Sequence, residues 1–277
     1  MLKFLWGILK NQSNKSDFWS HVDELRRRII ISLFFVFLFS ILSFFFKNII
    51  FDEIILKQIS PDFFTYKALC YINNIFPSIN LCVKSISNFH LINTEVGGQF
   101  RYHLVLSILC GFILASPFIF YQLWVFIRPS LYENELMIAR KFIFYLTFLF
   151  LIGIAFGYFI ISPLTLNFLL TYELSPNIEN MISINSFVST ISVLSFSMGL
   201  VFELPILIYF LTKVKVINSK FLKKQRRIAF IIIFIIAGFI TPSTDIFSQT
   251  LVGLPLYILF ELGIIIAKKV ERKYLLS

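Results

Sequence analysis

Few of the 277 residues are acidic, and several of the 15 Asp and Glu stand where a carboxylate is costly or conspicuous. Glu24 sits in H-V-D-E-L-R-R-R (21–28), just ahead of a charge-free apolar run. Glu133 and Glu135 follow Pro129 in the stretch S-P-F-I-F-Y-Q-L-W-V-F-I-R-P-S-L-Y-E-N-E (116–135). Glu203 lies inside an apolar run and is followed by Pro205, and Asp245 and Gln249 share a short polar turn. Carboxylates set together with prolines and aromatics at a membrane mouth present a surface there. A carboxyl within a span marks a functional site by default. Plainer roles stand beside each of these. Glu24, Glu133 and Glu135 also fit solvated acids balancing nearby Arg and Lys, and Glu203 fits a structural hydrogen bond to a neighbouring helix. Asp245 fits a helix cap, and Arg26 and Arg28 fit anchors that fix topology.

The elements that must position these groups are membrane helices. The chain is 58% hydrophobic and 14% charged, whereas a soluble chain is roughly a quarter charged. Six apolar runs are expected to span, at about 29–46, 104–127, 142–161, 185–211, 228–240 and 246–267. The second is interrupted by Pro117 and the third is closed by Ser162-Pro163. The fifth has 13 residues and reaches about 20 Å at about 1.5 Å per residue, against about 30 Å of hydrocarbon. Residues 48–103 are too polar to span and too apolar to be disordered, so they are expected to fold as an outer cap of short helices. Asp17 or Ser20 is available as the cap of the first helix. No small-residue cleavage site follows the first run, which is therefore expected to be retained. No polar segment is long enough for a separate soluble core, so residues 1–277 read as one membrane domain.

The net charge of +10 is explained by the bilayer rather than by nucleic acid, because the bases lie in short runs between spans. With both termini cytoplasmic, 20 of the 25 Lys and Arg fall inside, as the positive-inside rule requires. Pro117, Pro163, Pro205, Pro242 and Pro255 kink or end spans, which predicts a cupped all-α bundle, concave and glove-like. Cys70 and Cys82 are expected on the outer side, where a disulfide can form; Cys110 lies in a span. His21, His90 and His103 are scattered. No metal cluster, nucleotide loop or nucleophile elbow is visible, so no cofactor and no catalytic residue is expected.

Four separated pieces, in order, resemble the TatC family, the multispanning core of the twin-arginine (Sec-independent) protein translocase. They are residues 21–28, residues 116–135, F-E-L-P at 202–205, and T-P-S-T-D-I-F-S-Q-T-L-V-G-L-P at 241–255. The likeness runs from Phe18 to Ala267. Departures are Val22 where the family usually has Leu, Leu136 and Met137 where a base often follows the glutamate, and a turn at 241–245 one residue longer than the common T-P-P-D. The resemblance implies a receptor for the twin-arginine signal peptides of folded cargo, with Glu24 and Glu135 receiving the arginines and Phe126 offering an apolar contact. It implies docking or assembly roles for Arg26 and Arg28, and a concave polar pocket at Glu203. It also implies contacts of Asp245 and Gln249 with small single-span TatA/TatB-type subunits, assembly with other TatC copies, and drive from the proton motive force. A bacterial cytoplasmic membrane is the first compartment implied, a mitochondrial inner or thylakoid membrane the second.

Two other classes compete. A small-solute secondary transporter favours inverted repeats and several intramembrane polar groups; no convincing repeat is visible, and one carboxylate lies deep in the spans. A polytopic membrane enzyme needs polar catalytic residues clustered at one depth, and none is evident.

Overall fold

The structure, a computed structural model, describes residues 2–60, 62–75, 91–127, 136–172, 175, 181–243 and 245–275. Among the described residues it consists of helices joined by short turns, with a two-residue parallel pairing of β1 (Leu91–Ile92) with β2 (Ile182–Ser183). Among the described residues, five helical stretches are long and apolar enough to cross a membrane: His21–Phe45, Gly98–Phe126, Ile143–Thr171, Ile184–Lys213 and Ile246–Arg272. The remaining expected span, the fifth, is the helix Arg226–Ile240, which at 15 residues reaches about 22 Å. By contacts the chain forms two compact units, Met1–Phe45 with Ser107–Thr147, and Phe46–Leu106 with Phe148–Ser277.

The first unit is built on α1 (Leu2–Phe45) and the later part of α3 (Gly98–Ile127). α1 is continuous, so neither Asp17 nor Ser20 caps a separate helix. Between Gly7 and Pro61 the chain has no Gly or Pro, and nothing in that run breaks the hydrogen-bond ladder. α3 likewise starts earlier than expected, at Gly98, and carries Pro117 without ending there. The two helices run antiparallel. Ser40 packs on Gly111, Phe35 stacks on Phe118 with ring centroids 4.4 Å apart, and Arg28 reaches Gln122. In lipid there is no hydrophobic drive between helices, so close contact of small residues matters most. A Cβ on Gly111 would lie 2.6 Å from the Ser40 backbone nitrogen, so only glycine permits that approach.

The second unit holds the cap of short helices that follows α1 and the helices from Phe148 onward. After α1 the cap forms a π-turn (Ile49–Ile55), a 3-10 turn (Leu56–Ile59) and α2 (Phe64–Ile75). The third span does not close at Ser162-Pro163. α4 (Leu136–Phe156) passes through a π-turn (Gly157–Ile161) into α5 (Ser162–Thr171). The π-turn makes the Ser162 N–H bond to Gly157 O rather than to Tyr158 O, and Pro163 has no N–H to give Phe159 O. The cap satisfies both freed carbonyls. Gln58 Nε2 donates to Tyr158 O at 3.0 Å, and the Thr65 hydroxyl donates to Phe159 O. Gln58 also accepts from Ser162 Oγ at 2.6 Å and is fully buried.

The fourth span breaks where the sequence suggested. α6 (Ile184–Phe202) ends at Glu203, and α7 (Leu204–Lys213) begins with Pro205 in its first turn, where a missing donor is tolerated. α8 (Ser219–Lys224), α9 (Arg226–Ile240) and α10 (Ile246–Leu275) follow. α10 packs on α7 and α9. A core shared by α6, α9 and α10 includes Met198, Ile233, Ala237, Val252 and Leu256. Gly153 and Gly157 form a G-x-x-x-G step against α6, where a Cβ would meet Met198 O at 2.6 Å and Ser195 Cα at 2.7 Å respectively.

Candidate functional site

In the first unit, Glu24 and Arg28 lie one turn apart on α1, so their side chains meet. Arg28 Nη2 stands 3.3 Å from Glu24 Oε1, and Arg28 Nη1 donates to Gln122 Oε1 on α3 at 3.1 Å. Gln122 is 8% exposed, whereas the Glu24 side chain is 31% exposed. Arg28 holds a single oxygen of Glu24, and Oε2 carries no hydrogen bond among the described residues. Below this polar group an apolar groove of about 160 Å³ runs between the helices, lined by Leu25, Ile29, Leu33, Val36, Phe112 and Ile119, with Phe126 and Leu123 at the same end as Arg28. A carboxylate with one open oxygen, held by an arginine that lines an apolar trough, can take a guanidinium while the trough takes an adjoining apolar group. An i,i+4 ion pair of this kind is worth only about 0.3–0.5 kcal/mol, so a bidentate ligand can displace it.

The expected site residues are distributed as follows. Phe126 lines the groove, and Glu24 is held by Arg28, which lines it too. Arg26 points elsewhere: its side chain is 75% exposed and its partner is Asp23 at 3.9 Å. Glu133 and Glu135 lie outside the described residues. Gln122 was missed by sequence reasoning. Its signal was available, since a buried amide in an otherwise apolar span needs a partner.

In the second unit, both Glu203 carboxyl oxygens are buried and without a hydrogen-bond partner among the described residues. The residue sits at the break between α6 and α7. Asp245 caps α10: Oδ1 accepts from the Ser248 N–H at 2.7 Å, and Oδ2 accepts from the Ser243 hydroxyl. Partial burial pushes this carboxyl up, but the bonds from Ser243 and Ser248 outweigh burial and hold it below the usual carboxylate range. Gln249 Nε2 donates to Phe234 O at 2.7 Å, tying α10 to α9. A further device was not anticipated: Arg226 Nη2 lies 2.6 Å from Glu261 Oε2, and Tyr257 donates to the other oxygen at 3.2 Å. Cys70 lies in α2 and is disulfide-bonded, Cys82 lies outside the described residues, and Cys110 is free. Among the described residues no His, Cys, Asp or Glu group is arranged to hold a metal.

Comparison with known proteins decides the family. The family model for the Sec-independent protein translocase protein TatC matches residues 20–255. The chain belongs to the TatC family. A TatC from Blattabacterium sp. subsp. Periplaneta americana is 38% identical over 266 residues, covering 96% of this chain and 100% of the relative. A TatC from Carboxydothermus hydrogenoformans is 32% identical over 258 residues, covering 92% of this chain and 94% of the relative. A crystal structure of the twin-arginine translocase receptor TatC in the detergent DDM superposes with a TM-score of 0.74 at 31% identity, covering 89% of this chain and 99% of that one. A second TatC crystal structure gives a TM-score of 0.69 at 30% identity, covering 91% and 99%. These TatC structures are six-span helical membrane proteins. The TatC-family chain is thus a multi-pass, all-α membrane protein and a core subunit of the twin-arginine protein translocase, a transport component.

Proposed function

We propose that this chain is the receptor of its translocase, binding the twin-arginine signal peptides of folded proteins at the polar mouth between α1 and α3. The observation that carries the reading is the Glu24 carboxylate, partly exposed and held at one oxygen only by Arg28, which together with Phe126 lines an apolar groove. Glu24 receives one guanidinium and Glu135 the other. Phe126 packs on the apolar flank of the peptide, and the exposed Arg26 contributes to docking. The mouth faces the cytoplasm, with both termini on that side, in keeping with the distribution of Lys and Arg. The compartment is the bacterial inner membrane, and the whole chain acts as one membrane domain.

Assembly belongs to the other polar groups. Glu203, with both oxygens unpartnered, is suited to a hydrogen bond from a partner helix, because an unpaired polar group in hydrocarbon is expensive. The turn with Asp245 and Gln249 offers a second contact for single-span TatA/TatB-type subunits, and further copies of this chain complete a complex driven by the proton motive force. A Cys70–Cys82 bridge braces the outer cap. No nucleic acid, cofactor or catalytic step enters this reading. The test is site-specific crosslinking from positions 24 and 135 to a cargo signal peptide bearing Arg-Arg or Lys-Lys. The reading predicts strong adducts with Arg-Arg and weak ones with Lys-Lys; equal adducts at both positions refute it.

A further inference from the structure

The geometry points to Arg28 and Gln122 as a guanidinium placeholder: Arg28 keeps the Glu24 carboxylate in place until a ligand arginine arrives, and Gln122 keeps Arg28 from occupying that carboxylate completely. Gln122 is then a positioning residue for recognition. The inference rests on the reading of Glu24 as a signal-peptide acceptor and deepens it.

The argument starts from donor geometry. An arginine one turn from a glutamate can form two parallel bonds to it, and the bidentate form is the stronger one. Here it does not. Nη2 goes to Glu24 Oε1 and Nη1 is drawn away to Gln122 Oε1 on the other helix. Arg28 Nε is buried without a partner, so the guanidinium is placed at the cost of one of its donors. Gln122 is a neutral acceptor and almost wholly buried, so it can hold Arg28 without competing for the ligand's charge. When a ligand guanidinium takes Glu24, Arg28 loses one bond but keeps the one to Gln122. Glu24 passes from one cation to another and is at no stage a buried unpaired charge, which would be strongly unfavourable. Without Gln122 the same Arg28 is free to close on both oxygens, and the site becomes self-occupied. Because a lysine ammonium is a point charge and cannot reproduce the planar two-bond exchange, the placeholder also favours arginine over lysine.

The test is equilibrium binding of a labelled synthetic signal peptide, carrying Arg-Arg or Lys-Lys, to the full chain purified in detergent. Gln122→Leu is expected to weaken Arg-Arg binding about tenfold, the scale of one lost charge-assisted contact. The double variant Arg28→Gln with Gln122→Leu regains most of the lost affinity, because the competing cation is gone. A merely structural role predicts the opposite, a double variant as weak as Gln122→Leu or weaker. That result, or wild-type affinity in Gln122→Leu, overturns the placeholder. Glu24→Gln separates the two levels. If it leaves Arg-Arg binding unchanged, the recognition reading fails; if it weakens binding while Gln122→Leu does not, only the placeholder fails.

Discussion

Gln58→Leu is the substitution that the fold most clearly forbids. The side chain is 1% exposed and makes two bonds across to the third span, to Tyr158 O at 3.0 Å and from Ser162 Oγ at 2.6 Å. Leucine has nearly the same volume, so the packing term changes little. What is lost is polar satisfaction. Tyr158 O is free only because the π-turn shifts the Ser162 N–H to Gly157 O, so no backbone donor replaces the amide. Each unpaired buried group costs about 1–3 kcal/mol. With two groups affected the loss is about 2–6 kcal/mol, the low end applying if the Ser162 hydroxyl turns to another acceptor. Thr65→Val removes one donor, from Phe159 O, and should cost about 1–3 kcal/mol. Thermal unfolding in detergent, followed together with limited proteolysis between residues 46 and 75, reads both. The reasoning predicts that Gln58→Leu is the more damaging and opens the cap to protease well below the wild-type melting temperature. A loss under about 0.5 kcal/mol, the scale of an ordinary surface change, would refute the claim that the cap exists to satisfy the π-turn.

Other outcomes follow from the same contacts. Gly153→Leu forces side-chain atoms into the α6 backbone at Met198 and should abolish assembly of a stable protein, seen as loss of the monodisperse peak in detergent; retention of wild-type stability contradicts the α4–α6 contact. Glu203→Gln keeps hydrogen bonding and should retain most transport in inverted vesicles, whereas Glu203→Leu should lose it. Equal loss in both means that ionisation, not hydrogen bonding, is required. The Asp245 carboxyl is held below its ordinary value, so its contribution to the α10 cap is fully present above the unfolded value of about 3.9 and fades as pH falls through the lower folded one. Hydrogen exchange at Ser248 should therefore stay slow from neutral pH down to that range and then accelerate, and Asp245→Asn should remove the dependence. Thiol labelling without reductant should leave Cys70 unmodified; free labelling at Cys70 contradicts its disulfide.

Much of this was legible in the sequence because lipid imposes a simple grammar. Charge-free runs had to be helices, and Glu203 followed by Pro205 read correctly as a break within one span. Glu24 sat visibly at the head of a span. Other features were hidden for identifiable reasons. Pro163 looked like a stop because proline usually ends a helix. A π-turn ahead of it and two side chains from a distant cap remove that penalty, and neither is local in sequence. α3 begins at Gly98, ahead of the charge-free run, because a helix end can carry polar residues such as Arg101 and His103 beyond the hydrocarbon. Gln122 was invisible in a run chosen for its lack of charge, and its role depends on Arg28, 94 residues away. Arg226 and Glu261 pair across 35 residues, a contact that no local pattern marks.

The central claim is that Glu24 receives arginine specifically. It is tested most directly by the affinities of Arg-Arg and Lys-Lys signal peptides for the wild-type chain and for Glu24→Gln. The account predicts a preference for Arg-Arg of about tenfold or more, equivalent to at least about 1.4 kcal/mol, which largely disappears in Glu24→Gln. Equal affinities in the wild-type chain, or a preference that survives the substitution intact, would contradict it.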